Sequence, residues 1–329
     1  MNRYADGASL GALLLLSVFI SACAGPQAGG GQSGYSRTPP WSYVGTPLSP
    51  FWWYTRTKIR EMHAHGKDGN GRTVAILDSG FLKGHEDVAK VDPLGVELCS
   101  NQPTNDFDDF NGHGTALAGI TLGRDKGAGI ATAGAAPQAM LLPIKVVCGV
   151  SNAERIRQGV LVAIDKEVDV VLFALGPWPS DRDSGGKKVH ERLLELVPTH
   201  PKILFVVASV WDDSTYLRPD WTKAVNVVLV AAMTLDNAGT EIVYSEKSGD
   251  IWAPGRDVET ASIDDADRRQ HAPFLMQGTS AAAAILAGCA AAIKNGNETG
   301  TNLKTRLGRD FVVPMPNGKG RLDCFRGLP

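Results

Sequence analysis

The stretch that decides the fold is Gln277-Gly278-Thr279-Ser280 with the run that follows it, Ala281 to Ile293. The run is mostly alanine, with Ile285, Leu286, Gly288, Cys289 and Ile293, and carries no charge. A helix apolar on every side is a buried helix. It is too short to cross a bilayer, which needs about 18 or more apolar residues. Its small side chains let neighbouring elements approach closely. Ser280 falls at the helix start, where free N–H groups and the helix dipole favour developing negative charge. A nucleophilic serine with an oxyanion beside it needs that environment. The alternative is that Thr279 and Ser280 only cap a core helix.

Two upstream stretches favour the chemical reading. Thr73-Val74-Ala75-Ile76-Leu77 has the composition of a buried strand, and Asp78-Ser79-Gly80 ends it. Asn111-Gly112-His113-Gly114-Thr115 then opens a second small-residue segment, Ala116-Leu117-Ala118-Gly119-Ile120. The chain thus offers Asp, His and Ser in that order, each at the mouth of an apolar element. That order is the one known from subtilisin.

In these residues the chain resembles the subtilisin-like serine peptidases, the subtilases. The three catalytic boxes of that family are similar to Val74–Gly80, His113-Gly114-Thr115 and Gly278-Thr279-Ser280. Weaker likenesses are Phe173-Ala174-Leu175-Gly176, Tyr244-Ser245 and Ala253-Pro254-Gly255. The resemblance runs from about Pro50 to the C-terminus. It implies a serine endopeptidase in which Ser280 attacks, His113 is the base and Asp78 orients the imidazole, with a peptide or protein as substrate. In the pocket for the residue before the cut it implies Ala174, Leu175, Gly176, Ser209 and Val210, with Ala174 in place of a usual Ser and Val210 in place of a usual Gly. It also exposes a departure. The family places an Asn after a strand, in a stretch like Ala-Ala-Gly-Asn, to donate to the oxyanion. Here Ile203–Ala208 is followed by Ser209-Val210-Trp211-Asp212-Asp213, and Trp211 or Asp212 takes that position. Losing one such donor costs about 100- to 1,000-fold in rate, a figure that comes from subtilisin itself. The departure keeps two other readings in view: a weakly active or inactive binding protein on the same scaffold, and a peptidase restricted to one partner.

The fold class follows from the remaining runs. Met140–Val147, Val168–Leu175, Ile203–Ser209 and Val225–Ala232 are continuous and rich in Val, Ile and Leu, as in strands buried on both faces. Helical patterns at Ala153–Glu167 and Val189–Leu196 lie between them, and Phe51–Ala64 reads as one leading amphipathic helix. Strand alternating with helix predicts an α/β domain, a mostly parallel sheet with helices on both faces in the three-layer subtilisin-like manner. Residues 51–329 form this one domain.

Upstream, Arg3 and the apolar centre Ala12–Ile20 have the form of a secretory signal. Ile20-Ser21-Ala22-Cys23 resembles a bacterial lipobox, which implies residues 1–22 as signal peptide, Cys23 as the acylated residue and residues 23–50 as a Gly/Pro-rich tether. With Ala24 after the cysteine, this implies the cell envelope, at the outer membrane in a diderm, with a lipid bilayer as partner. Fewer than thirty residues separate Cys23 from the domain, too few for the folded propeptide that many secreted subtilases carry. Charge is nearly balanced, 33 basic against 35 acidic residues, with no basic block, so nucleic acid is not an expected partner.

No cofactor is expected. Asp106, Asp108 and Asp109 form an acidic cluster that calcium would suit chemically, but they lack a recognisable loop spacing and read as a solvated acidic loop. His63 and His65 read as surface histidines and His85 as structural. With Cys23 acylated, Cys99, Cys148, Cys289 and Cys324 remain, allowing three pairings. Sequence does not choose among them; we expect Cys99 with Cys148, and Cys289 as a core residue.

Overall fold

A computed structural model describes residues 48–49, 51–124, 133–149, 153–175, 191–209, 221, 224–244, 249–261, 263 and 274–329. Its spine is a ten-stranded sheet. The strands are β1 (Thr73–Asp78), β2 (Val96–Glu97), β3 (Met140–Lys145), β4 (Val170–Phe173), β5 (Leu204–Ala208), β6 (Val227–Leu235), β7 (Glu241–Val243), β8 (Ile251–Pro254), β11 (Val312–Pro314) and β12 (Gly320–Leu322). Their spatial order is β11-β12-β8-β6-β5-β4-β1-β3-β2, with β7 paired to β6. All neighbours are parallel except β11 and β7, each of which closes an antiparallel hairpin at one side. A separate pair, β9 (Val258–Thr260) and β10 (Phe274–Met276), leads the chain back towards Ser280.

The expected layers are present. Alternate side chains of a strand point to opposite faces. Val74 and Ile76 of β1, Val170 and Leu172 of β4, and Leu204 and Val206 of β5 pack on one side with helices α3 (His113–Leu122), α6 (Thr279–Ile293) and α7 (Gly300–Asp310). Ala75 and Leu77, Val171 and Phe173, and Phe205 and Val207 pack on the other with α4 (Ala153–Asp165) and α5, residues 191–196. Both faces are buried, which is why the strands read as unbroken apolar runs and not as alternation.

Helix α6 is the element the sequence pointed to, and every residue from Ser280 to Ile293 is buried. It lies against α3 and against strands β4, β5, β6 and β8. The contact with α3 accounts for one small residue. A Cβ on Gly288 would stand 2.7 Å from the Thr121 carbonyl oxygen, closer than atoms pack. At the same crossing Thr121 Oγ1 donates to the Ala284 carbonyl at 3.2 Å.

Two expectations need correction. The leading helix is two short ones, α1 (Trp52–Arg56) and α2 (Ile59–Ala64). The break is Lys58, in the left-handed conformation at φ 60°, a conformation that ends a helix and that periodicity does not reveal. His63 is half-buried and held at both ring nitrogens, not freely exposed: its Nδ1 bonds Tyr54 Oη at 3.0 Å and its Nε2 the Ala135 carbonyl at 3.0 Å. His65 is exposed, as expected, and His85 is buried.

Candidate active site

Ligands in parallel α/β sheets bind beyond the carboxyl ends of the strands, and the candidate residues gather there. Asp78 is the last residue of β1. Leu77 of β1 is in register with Phe173 of β4, so Asp78 and Ala174 leave adjacent strands side by side. His113 is the first residue of α3, and its Nδ1 lies 2.8 Å from Asp78 Oδ1. Asp78 is buried, at 1% exposure, and the same oxygen accepts the Ser79 backbone N–H at 2.7 Å. A carboxylate only accepts, so Nδ1 carries the proton and Nε2 is the basic nitrogen. Ser280 is the second residue of α6, and its Oγ donates to the Ala174 carbonyl at 3.1 Å. His113 is thus tied to the end of one strand and Ser280 to the end of its neighbour.

The Asp and His boxes are laced together residue by residue. Ser79 Oγ accepts the Gly114 N–H at 2.9 Å, and the Leu82 N–H donates to Thr115 Oγ1 at 3.0 Å. Between these bonds the two backbones touch. A Cβ on Gly114 would stand 2.2 Å from the Gly80 carbonyl oxygen. Only glycine allows this approach at 114, while Gly80 is needed for a different reason, since at φ 111° its Cβ would stand 2.3 Å from the Phe107 carbonyl oxygen.

The Ser box is held differently. Gly278, at φ 97°, turns the chain into α6, and its N–H donates to the Gly255 carbonyl at 2.6 Å. Gln277 clasps Asp257 from both sides: its Nε2 donates to Asp257 Oδ1 at 2.9 Å, and its Oε1 accepts the Asp257 N–H at 3.2 Å. The N-terminal arm is pinned to the same loop, since the Leu48 N–H donates to Asp257 Oδ2 at 3.2 Å and Trp52 Nε1 to the Arg256 carbonyl at 2.8 Å. Buried Asp257 sits at φ 50°, a strained conformation for a non-glycine residue.

Of the expected pocket residues, Ala174 and Leu175 follow β4 and Ser209 follows β5, its N–H donating to the Val230 carbonyl at 2.8 Å. Gly176, Val210, Trp211, Asp212 and Cys23 lie outside the described residues.

The acidic cluster is the expected solvated loop only in part. Asp106 is exposed and Asp108 half-buried, and Lys83 partners both, through its Nζ at 3.6 Å from Asp106 and its N–H at 3.2 Å from Asp108. Asp109 is fully buried. Its Oδ1 accepts the N–H groups of Asn111 and Gly112, each at 2.9 Å; its Oδ2 accepts the Thr115 N–H at 2.9 Å and Thr115 Oγ1 at 2.7 Å. A cation would have to displace these donors, so the donor set does not fit calcium. Charge made the segment look solvated; the readable signal was an Asp two and three residues before a bend that opens a helix. A second acidic group, Glu97 beside Cys99 and Cys148, offers no metal thiolates, because the two sulfurs are joined in a disulfide with Cα atoms 5.7 Å apart. Cys289 and Cys324 are free and buried, and burial pushes the Cys324 thiol well up, with the Cys289 side chain beside it adding to the effect.

The chain is similar to known proteins. A model of the subtilase family matches residues 69–307. An intracellular serine protease of Paenibacillus polymyxa is 30% identical over 233 residues, which cover 69% of this chain and 67% of that protein. The major intracellular serine protease of Bacillus subtilis (strain 168) is 28% identical over 248 residues, 73% of this chain and 74% of that one. Among solved structures, fervidolysin from Fervidobacterium pennivorans, a keratinolytic enzyme related to subtilisin, superposes with a TM-score of 0.66 at 19% identity. That match covers 82% of this chain but only 44% of fervidolysin, and at such identity it speaks for the fold alone. Family model, relatives and fold agree, and the chain belongs to the subtilase family of serine peptidases.

Proposed function

We propose that the protein is an endopeptidase in which Ser280, His113 and Asp78 work as nucleophile, base and orienting carboxylate. The observation that carries this reading is the 2.8 Å bond from half-buried His113 to buried Asp78, beside a serine fixed to the next strand end. In the reaction Ser280 Oγ turns from the Ala174 carbonyl to His113 Nε2, gives up its proton there and attacks the substrate carbonyl carbon. Negative charge develops on the carbonyl oxygen beside the first N–H groups of α6, which have no intrahelical acceptor. His113 then gives its proton to the leaving amine as the tetrahedral species collapses to an acyl-enzyme. A water molecule repeats the cycle to free Ser280. Asp78 keeps Nδ1–H in place and stabilises the imidazolium that forms at each proton transfer.

The second oxyanion donor falls at Trp211 or Asp212. The indole N–H of Trp211 donates in either protonation state of its surroundings, whereas Asp212 donates only when protonated. This departure favours slow turnover of ordinary peptides, and it supports the alternative of a binding protein or a partner-restricted peptidase over a broad degradative enzyme. Labelling by a fluorophosphonate probe decides between activity and mere binding. Wild type labels and Ser280→Ala does not if the serine is activated; equal labelling of both, or of neither, rejects the proposal.

We further propose that acylation of Cys23 tethers the domain to the cell envelope. Cys23→Ser is then expected to abolish lipid labelling and move the protein out of the membrane fraction. Unchanged labelling and fractionation would reject the tether.

A further inference from the structure

We propose that Asp109 is a positioning residue for His113, holding the imidazole at Asp78 by clamping the backbone on both sides of it. The proposal rests on the triad reading above. His113 opens α3, and the preceding Gly112 has no side chain with which to cap the helix. The N–H groups of a first helical turn need acceptors from elsewhere. Asp109 supplies one of them from outside the helix, for the Thr115 N–H, while the His113 N–H goes to Asn111 Oδ1 at 3.3 Å and the Gly114 N–H to Ser79 Oγ at 2.9 Å. One oxygen takes Asn111 and Gly112, just before His113, and the other takes the Thr115 N–H and hydroxyl, just after it. The His113 backbone is bracketed, so it cannot swing without breaking bonds to one oxygen or the other. Gly112 needs that restraint, because at φ 94° it supplies the bend into the helix but nothing of its own to fix it.

The clamp extends to the Asp box. The hydroxyl that donates to Asp109 also accepts the Leu82 N–H, four residues after Asp78. One carboxylate therefore sets the height of His113 relative to the turn that presents its partner. Its negative charge at the start of α3 also suits the helix dipole. No hydrogen bond between Asp109 and the imidazole is needed for this role. It acts on the reaction through the position of His113, where a displacement of about 1 Å costs on the order of 100-fold in rate.

The test is a double-mutant cycle on the full chain, with kcat and KM measured on a chromogenic peptide and the melting temperature recorded for each variant. Asp109→Asn keeps the size of the side chain but turns donors towards the Thr115 N–H or the Gly112 N–H. It is expected to lower kcat about 10- to 100-fold with KM unchanged within about twofold. In a His113→Ala background the same substitution should lower the residual rate by less than about twofold, because nothing is left to position. Thr115→Val, which removes one hydroxyl from the clamp, should follow the same pattern at about fivefold, and it decides the matter should Asp109→Asn not fold. Equal losses in both backgrounds would mean a purely structural carboxylate and overturn the proposal, as would an unchanged kcat. If His113→Ala alone leaves turnover intact, the triad reading itself falls.

Discussion

Helices α3 and α6 begin alike and are secured in opposite ways. Each starts after a glycine with positive φ, Gly112 at 94° and Gly278 at 97°, and neither glycine can cap its helix. At α3 a buried carboxylate reaches the first turn, with Asp109 accepting the Thr115 N–H that a cap would take and the Gly112 N–H just before the helix. At α6 the restraint sits one step back. Gln277 grips Asp257 and Gly278 bonds Gly255, and no side chain caps the helix. The contrast with α7 is instructive, since there Thr299 caps the Asn302 N–H in the ordinary manner. The proposed mechanism accounts for the difference. In it the start of α3 has only to hold an imidazole, so its N–H groups can be filled, whereas the start of α6 receives an oxyanion, which calls for a rigid loop before the helix.

The largest effect that tests this comparison is removal of the groups the two helices carry. Ser280→Ala and His113→Ala should each lower kcat about a million-fold, the size measured in subtilisin itself, and Asp78→Asn about ten-thousand-fold, the size of the same change in a chymotrypsin-type triad. Double variants should lose little more than the singles. Multiplying losses in a steady-state assay would separate the helix starts into independent devices and reject a triad.

Next in size is a control that lies at neither start. Cys99 and Cys148 close a loop with a sequence separation of 49. Opening it with Cys99→Ser and Cys148→Ser should cost about 4 kcal/mol by chain entropy, read by urea unfolding, with kcat of the folded fraction unchanged. A parallel fall in kcat would mean that stability anywhere in the domain, and not local clamping, governs the site.

The clasp at α6 comes third. Gln277→Ala leaves Asp257 Oδ1 and the Asp257 N–H without their partner, at about 1–3 kcal/mol of stability. We expect kcat to fall about tenfold, with KM little changed, because the first turn of α6 meets the oxyanion only in the transition state. A rise in KM with constant kcat would instead place Gln277 in ground-state substrate binding.

The two starts also differ in how far sequence revealed them. The three boxes, their order and the burial of α6 were legible. A helix of alanine without a charge has no polar face to turn to water, and strands without alternation have none either. The layers followed from strand alternating with helix. The restraints were not legible. Asp109 stands among Asp106 and Asp108 and shares their composition; only the fold turns the backbone so that four donors meet it. Gln277 read as part of a motif, and its partner Asp257 lies across a separate strand pair. The break at Lys58 depends on a single backbone angle that no periodicity encodes.

The smallest effect asks whether a carboxylate that accepts only from local donors acts by its charge, as the clamp at α3 requires. Glu97 offers a second example away from the site. Burial pushes its pKa up, but hydrogen bonds from Thr104, Ser100 and backbone N–H groups outweigh burial, and the net result is a value below the ordinary 4.5. Its folded-state pKa is therefore depressed, so its contribution to stability is present above the unfolded value and is lost as pH falls through the folded one. Unfolding followed from pH 7 downward should show wild type more stable than Glu97→Gln at neutral pH. The gap should narrow below about pH 4.5 as Glu97 protonates and comes to resemble glutamine. A gap that stays constant across this range would mean that shape and not charge holds these loops, and the argument for a carboxylate at Asp109 would lose its electrostatic half while keeping its geometric one.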